Sequence, residues 1–243
     1  MRKRVPVILL AVLCCGAVLR LAGKDGEVVL AADAAVTIPE SKYVALTFDD
    51  GPRAGTTDVL LDGLYERGVP ATFFLVGEQI SANADLVRRM ADEGHQVGNH
   101  TQNHVRLAEA TDAEVKRQVS ETDILLRELL GEGNYWVRAP YGLVEDRQRK
   151  LFSQPLIQWS VDPEDWRLRD AEKVTDAVLS VVEPGDIILL HDSLETSVEA
   201  ALRIVDALQE QGYTFVTVRE LLERNGVTPE AGIRYRSVKH IGG

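Results

Sequence analysis

The chain has 243 residues, of which 45% are apolar and 27% charged, which is enough material for one sizeable hydrophobic core and predicts a single domain of catalytic size. Its formal net charge is −11. Residues 1–22 contain four basic and no acidic residues, so the remainder carries −15. Such an acidic body repels nucleic acid, which excludes a nucleic-acid-binding function. The negative charge also argues against electrostatic steering of a strongly anionic substrate, although composition does not exclude a local basic groove.

The N-terminus has the layout of an export signal. Three basic residues precede an apolar run at residues 5–19, and Arg20 follows it. The run is shorter than the roughly 20 residues of a membrane span, and its flanks are those of a signal sequence. We therefore predict an exported protein, with residues 1–22 as a signal peptide or membrane anchor and the catalytic domain outside the cytoplasm. Secreted and membrane-attached forms both stay open.

Both cysteines, Cys14 and Cys15, lie in this apolar run. The exported domain can therefore hold neither a disulfide nor a cysteine-ligated zinc. Any metal site must use histidine and carboxylate side chains. A lipid anchor on a cysteine is the weaker alternative, because Val12 and Leu13 precede Cys14 where small residues are usual.

After a linker at residues 23–41, strand-like apolar runs alternate with stretches of helical period. Seven strands are predicted, at residues 43–48, 71–76, 96–99, 135–138, 156–161, 186–190 and 213–218. Five helices are predicted, at residues 57–66, 84–93, 112–130, 171–182 and 198–211. This alternation predicts an α/β fold, with a parallel sheet and helices outside it. We place the domain at residues 42–224 and a loosely packed C-terminal tail at residues 225–243.

The unusual polar residues follow the predicted strands at their carboxyl ends. They are Asp49 and Asp50 after the first strand, His100 and His104 after the third, Arg138 at the end of the fourth, Asp162 and Asp165 after the fifth, and His191 after the sixth. Parallel α/β barrels carry the active site at this face, where separate strands deliver side chains to one pocket. Each residue alone has a structural explanation, but together they favour an active site. His95 and His240 lie away from this rim, and we assign them structural roles.

His100 and His104 lie four residues apart, close enough to share one metal ion from a helical turn. Asp50 completes a set of two histidines and one carboxylate. Such a set leaves coordination positions of the metal open, which suits zinc. Two adjacent carboxylates repel each other, so we expect Asp50 to bind the metal and Asp49 to act as a base beside an arginine. A plain Asp-Asp-Gly-Pro turn is the alternative, and the buried strand before it favours the site.

Five segments resemble the motifs of polysaccharide deacetylases, the NodB-homology family also called carbohydrate esterase family 4. They are Thr47-Phe48-Asp49-Asp50-Gly51-Pro52, His100-Thr101-Gln102-Asn103-His104, Arg138-Ala139-Pro140-Tyr141-Gly142, Asp162-Pro163-Glu164-Asp165-Trp166 and Leu189-Leu190-His191. The likeness spans about residues 42–222, and five ordered motifs are far more specific than any single one. The resemblance implies a distorted, TIM-like (β/α) barrel of about seven parallel strands.

The resemblance also implies a role for each residue of the rim. Asp49 would be the general base, Arg138 would orient it, and His191 would be the general acid. The divalent metal, usually zinc, would lie on the three residues Asp50, His100 and His104. Asp165 would pair with His191 and raise its proton affinity, and Asp162 competes for that role.

Substrate-binding residues are implied in the same way. Trp166 and Leu189 would line the pocket for the acetyl methyl group. The segment around Tyr141 rims the site, and a backbone amide there is placed to stabilise an oxyanion.

The implied function is metal-dependent removal of N-acetyl groups from N-acetylglucosamine residues of peptidoglycan or a chitin-like glycan, with release of acetate. For an exported single domain, the producer's own peptidoglycan is the favoured polysaccharide. An N-acetylmuramic acid deacetylase and a xylan O-acetyl esterase are alternatives with the same chemistry. A catalytically inactive glycan-binding module is the third alternative, and the presence of Asp49, Arg138 and His191 argues against it.

Overall fold

The computed structural model of the chain describes residues 42–240 and residue 242. The predicted export segment at residues 1–22 and the linker at residues 23–41 therefore lie outside the described residues. Across the described part of the chain, no helix combines the length and the apolar content needed to cross a membrane.

Strand β1, Lys42–Asp49, is the central strand of the main sheet, and it is buried from Val44 onward. Its apolar side chains on both faces are typical of a parallel strand covered on both sides. It pairs in parallel with three strands, β2 at Thr72–Leu75, β5 at Ile187–His191 and β6 at Tyr213–Phe215. Strand β3, Gln96–Asn99, pairs in parallel with β2. The carboxyl ends of β1, β3 and β5 therefore meet at one edge.

Isolated parallel bridges carry the pairing beyond β3, from Asn99 to Val137 and from Val137 to Leu156. A further bridge joins Val161 to Ile188 in β5. Strands β4, Leu156–Ile157, and β7, Arg234–Tyr235, form a second, two-stranded parallel sheet. The α/β class with parallel strands is therefore confirmed.

Three of the predicted strands are markedly shorter than expected. The one predicted at residues 213–218 ends at Phe215, because Thr217 caps the helix that begins at Val218. Residues 135–138 form no strand and contribute only the bridge at Val137, and residues 156–161 are reduced to β4 and the bridge at Val161. Pro140 and Pro155 have no N–H to donate, which limits the pairing on either side of these segments. After Ile157 the chain changes its pairing partner, because the Gln158 N–H donates to Tyr235 in β7 and the Ser160 N–H donates to Ile187 in β5.

The expectation of a loosely packed tail is wrong for residues up to 238. Strand β7 lies in this segment, Tyr235 is 2% exposed, and Ser237 bridges Asp186. Tyr235 packs in an apolar cluster with Trp136 and Ile157, which supplies the burial that a strand this short needs.

Nine helices lie along the described chain: α1 Thr57–Arg67, α2 Gly77–Ile80, α3 Ala84–Asp92, α4 Asp112–Leu130, α5 Asp146–Arg149, α6 Asp165–Leu168, α7 Ala171–Leu179, α8 Glu195–Glu210 and α9 Val218–Arg224. The five predicted helices correspond to α1, α3, α4, α7 and α8. Helix α4 begins where Thr111 accepts a hydrogen bond from the Glu114 N–H, and α1 ends at Gly68 with a φ of 62°. Helix α8 buries residues at a helical spacing, among them Val198, Ala201 and Val205, in the main core cluster.

Candidate active site

A cleft of 520 Å³ opens at the carboxyl ends of β1, β3 and β5. Asp49 and His191 are register partners on β1 and β5, so they lie side by side at this edge. The cleft is lined by Asp49, Asp50, His100, His104, Arg106, Tyr141, Trp159, Asp162, Trp166, Leu189 and His191. All the site residues predicted from the sequence line this cleft except Arg138 and Asp165, which lie behind it and contact residues that do.

Asp50, His100 and His104 form what we call the open trio, whose potential ligand atoms all lie within 4.8 Å of one another. Oδ1 of Asp50 is 3.5 Å from Nε2 of His100 and 3.2 Å from Nε2 of His104. The expectation of a helical turn is wrong. Asp50, Thr101 and His104 have φ values of 74°, 70° and 56°, so left-handed backbone turns the two imidazoles toward one point.

The open trio fits a divalent cation. Oδ1 of Asp50 is buried and accepts no hydrogen bond, which is costly for a carboxylate unless a cation neutralises it. Nδ1 of His100 lies 2.7 Å from the backbone oxygen of Arg138, so it donates there and its Nε2 is left with a free lone pair. Burial, followed by the nearby His100, lowers the pKa of His104, which favours the neutral imidazole that binds metals.

Asp49 and Arg138 form what we call the buried pair, with side chains 4% and 0% exposed. Nη1 of Arg138 donates to Oδ1 of Asp49 at 2.8 Å and to the Thr47 hydroxyl at 2.8 Å. Its remaining nitrogens donate to backbone oxygens of Ile157 and Gln158, so four of the five N–H groups of the guanidinium are hydrogen-bonded. This network holds a charged arginine inside the fold.

The carboxylate of Asp49 faces the open trio. Its Oδ2 lies 3.6 Å from Nε2 of His100. Burial alone would raise the pKa of Asp49, but the charges of Arg138, His100 and His191 together lower it below its ordinary value. The carboxylate is therefore ionised at neutral pH and has one oxygen free to take a proton.

His191 is paired with Asp165, and Asp162 is not its partner. Nδ1 of His191 lies 2.7 Å from Oδ1 of Asp165, whose Oδ2 accepts the His191 backbone N–H at 2.8 Å. Asp162 accepts instead from the Glu164 N–H at 2.9 Å. Burial lowers the pKa of His191, but the hydrogen bond and charge of Asp165, then Asp49 and Asp50, raise it to about 9. The imidazole is therefore protonated at neutral pH.

The three predicted substrate-binding residues lie at different depths of the cleft. Leu189 is 3% exposed, whereas Tyr141 and Trp166 are 50% and 53% exposed at its rim. The ring of Tyr141 meets His104 edge-on, with centroids 4.9 Å apart, and its φ of 60° orients the ring within the turn Pro140–Gly142. Trp159, which sequence analysis did not select, also lines the cleft.

Asp192 is a further residue that sequence analysis missed. It is fully buried, its Oδ2 accepts a hydrogen bond from the Thr57 hydroxyl at 2.5 Å, and Thr57 in turn accepts from the Arg53 N–H. A Cβ on residue 51 would lie 2.2 Å from this oxygen, so only Gly51 fits beside it. Asp192 thereby anchors the loop that carries Asp50. The available signal was an acidic residue directly after His191 at a strand end.

Comparison with known proteins identifies the family. The family profile described as polysaccharide deacetylase matches residues 37–155. A chitooligosaccharide deacetylase of Sinorhizobium fredii is 37% identical over 198 residues, which cover 73% of this chain and 92% of that protein. The chain belongs to the polysaccharide deacetylase family. This confirms the resemblance, the NodB-type fold and the hydrolase class inferred from the motifs.

Two other members of the family are larger proteins. The peptidoglycan-N-acetylglucosamine deacetylase PgdA of Listeria monocytogenes is 40% identical over 192 residues, which cover 76% of this chain and 41% of that protein. The peptidoglycan-N-acetylmuramic acid deacetylase PdaC of Bacillus subtilis is 38% identical over 185 residues, 76% of this chain and 40% of that protein. A solved structure of PdaC superposes with a TM-score of 0.74 at 38% identity and covers 76% of this chain and 92% of the solved chain. The present chain thus spans about two fifths of the length of these relatives.

Proposed function

We propose that this chain is a zinc-dependent N-deacetylase that hydrolyses the acetamido groups of N-acetylglucosamine residues in peptidoglycan or a chitin-like glycan and releases acetate. The observation that carries the proposal is that two adjacent carboxylates, Asp49 and Asp50, have different partners. Asp49 is neutralised by Arg138 inside the fold, whereas Asp50 faces two histidines with an unsatisfied oxygen. The substrate class follows the peptidoglycan and chitooligosaccharide deacetylases among the relatives.

The open trio is the metal site in this proposal. Two neutral imidazoles and a carboxylate suit zinc and leave coordination positions for water and substrate. When bound, zinc supplies a Lewis acid that polarises the acetamide carbonyl and lowers the pKa of a water molecule. The carbonyl of Arg138 fixes the orientation of His100, so the trio is held ready for the ion.

Two proton transfers complete the reaction. Asp49, ionised because its pKa is lowered, takes a proton from the attacking water. The tetrahedral oxyanion then lies near the backbone of Tyr141, whose N–H is the proposed donor to it. His191, protonated because Asp165 raises its pKa, gives its proton to the departing amine nitrogen. The products are acetate and a free amine on the sugar.

The remaining cleft residues are proposed to bind the substrate. Leu189, almost fully buried at the end of β5, gives an apolar contact for the acetyl methyl group. Trp166 and Tyr141 present large exposed rings at the rim, where a sugar ring can stack. Because the proposed polymer is part of the cell envelope, we propose that the enzyme acts outside the cytoplasm, after export through residues 1–22.

The test is release of acetate and of free amines by the zinc-loaded full chain on peptidoglycan, chitooligosaccharide and acetylated xylan. We expect acetate together with new amines on the first two and loss of activity on chelation. Asp49→Asn should lower the rate about 10²- to 10⁴-fold, because a general base contributes about that much. Asp85→Asn, which changes an exposed aspartate on α3, is the matched control and should leave the rate unchanged.

The outcomes separate the alternatives. Acetate from xylan without new amines would identify an O-acetyl esterase, and amines on muramic acid alone an N-acetylmuramic acid deacetylase. Full activity after exhaustive chelation, or in Asp49→Asn, would contradict the proposed mechanism. Binding of the glycans without any acetate release would identify an inactive glycan-binding module.

A further inference from the structure

Arg106 is a cleft residue whose charge is unused within the fold. Among the side chains at residues 42–240, none forms an ion pair or a hydrogen bond with its guanidinium. The other positive groups of the site are committed, Arg138 to Asp49 and His191 to Asp165. An exposed arginine on a convex surface would need no explanation, but this one lines the cleft that holds the open trio.

The position of the Arg106 guanidinium is set by stacking. It lies over the ring of Tyr141 at 4.3 Å from the centroid, and Tyr141 meets His104 edge-on. Stacking uses the flat face of the guanidinium and leaves the N–H groups at its edge free. These donors match the two oxygens of a carboxylate in a bidentate arrangement. Arg106 thus offers an anion site one aromatic ring away from the open trio.

The surrounding charge limits which anion fits. Asp49, Asp50 and Asp162 line the same cleft, and the chain beyond residue 22 carries −15. A doubly charged phosphate would be repelled more strongly here than a singly charged carboxylate. The bacterial wall glycan carries such a carboxylate on the lactyl group of N-acetylmuramic acid, next to each N-acetylglucosamine. Chitin-like glycan has no carboxylate.

We infer that Arg106 is a specificity-determining residue that binds a carboxylate on the sugar next to the one being deacetylated. The inference rests on the proposed deacetylase function and narrows its substrate class to carboxylated wall glycan over neutral chitin-like glycan. Binding at this distance from the acetamide acts on the bound substrate and the transition state alike, so it affects KM and leaves kcat nearly constant.

The test measures kcat/KM on three oligosaccharides of equal length: chitooligosaccharide, a peptide-free oligosaccharide of alternating N-acetylglucosamine and N-acetylmuramic acid, and the same oligosaccharide with its peptides. Arg106→Gln should raise KM for the peptide-free wall oligosaccharide about two- to fivefold more than for chitooligosaccharide, the scale of one solvent-accessible ion pair. Arg106→Lys keeps the charge but loses the planar fork, and should give a smaller rise. High salt should remove the difference between wild type and Arg106→Gln.

Arg224→Gln is the matched control. Arg224, at the end of α9, is exposed and stacks at 5.0 Å on Tyr43, which lies at the start of β1, at the opposite end of the strands from the cleft. The variant removes the same charge and the same kind of stacking contact and should leave the preference between the oligosaccharides unchanged.

Three outcomes would overturn the inference while leaving the deacetylase function intact. One is that Arg106→Gln and wild type have the same preference between the peptide-free wall oligosaccharide and chitooligosaccharide. Another is a change seen only with the peptide-bearing oligosaccharide, which would assign the carboxylate to the peptide. The third is a wild-type enzyme that acts on chitooligosaccharide but not on the wall oligosaccharide. No acetate from any of the three with zinc-loaded wild type would instead contradict the proposed function itself.

Discussion

The buried pair and the open trio contain neighbouring aspartates in opposite environments. Asp49 ends strand β1, its side chain is 4% exposed, and Arg138 satisfies one of its oxygens. Asp50 follows with a φ of 74°, a side chain 34% exposed and a buried oxygen without a hydrogen bond. One step along the chain therefore separates a charge that the protein neutralises by itself from a charge that it leaves for a ligand.

This difference predicts how each region responds to substitution. A buried ion pair is expensive to break, because the remaining charge has lost its partner in a water-poor interior. An unsatisfied oxygen contributes little to stability, so its removal should cost binding and activity instead.

Arg138→Met would break the buried pair and should have the largest effect on stability. It leaves Asp49 charged and buried, and the free energy of unfolding should fall by about 3–5 kcal/mol. Urea denaturation of the metal-free protein measures this. The double variant Asp49→Asn/Arg138→Met, which removes both charges, should be more stable than Arg138→Met alone.

Arg67→Met is the control for loss of an arginine. Arg67 pairs at 2.7 Å with Asp206, whose side chain is 54% exposed, and such pairs contribute up to about 1 kcal/mol. Equal losses for Arg138→Met and Arg67→Met would mean that the buried pair is not a special feature of the site.

His191 and Asp165 extend the comparison to a second neutralised pair, with a pH signature. The folded-state pKa of His191 is raised to about 9, above an ordinary 6.5, so its stabilisation is complete below pH 6.5 and is lost as pH rises through 9. The difference in unfolding free energy between wild type and His191→Gln should shrink by about 3 kcal/mol over this range. A chelator must be present, because a cation on Asp50 would oppose the charges that raise this pKa.

His95 provides the control of opposite sign. Burial, its largest cause, lowers the pKa of His95 to about 4, and its Nδ1 accepts a hydrogen bond from the Ala71 N–H. The contribution of a neutral histidine is present above pH 6.5 and is lost as pH falls toward 4. The difference between wild type and His95→Gln should therefore grow with pH in the acid range. The same slope for both histidines would contradict the charge states assigned here.

Much of the site could be predicted from the sequence, because the sequence pattern shows where the strands end. Apolar runs such as residues 43–48 locate a buried strand, and parallel strands place their carboxyl ends together, which brought Asp49, His100 and His191 into one pocket. The resemblance implied the pairing of His191 with Asp165, but the sequence alone left Asp162 as an alternative partner. Asp162 and Asp165 are three residues apart, and the short helix α6 decides which one faces β5.

Other features depend on contacts that no local pattern records. The left-handed residues Thr101 and His104 replaced the expected helical turn, and β7 forms because Tyr235 finds an apolar cluster far away in the sequence. Asp192 is a buried acid directly after His191, and its role depends on Thr57 and Gly51 across the fold. Such contacts are tertiary, so periodicity and spacing do not reveal them.

The most direct measurement is zinc affinity of the wild type and of two isosteric variants, by calorimetry at neutral pH. Asp50→Asn removes a charged ligand of the open trio and should weaken zinc binding about a hundredfold or more. Asp49→Asn, one residue earlier, should bind zinc within a few-fold of wild type and yet release almost no acetate. Equal loss of zinc in both variants would contradict the division of labour between the two aspartates.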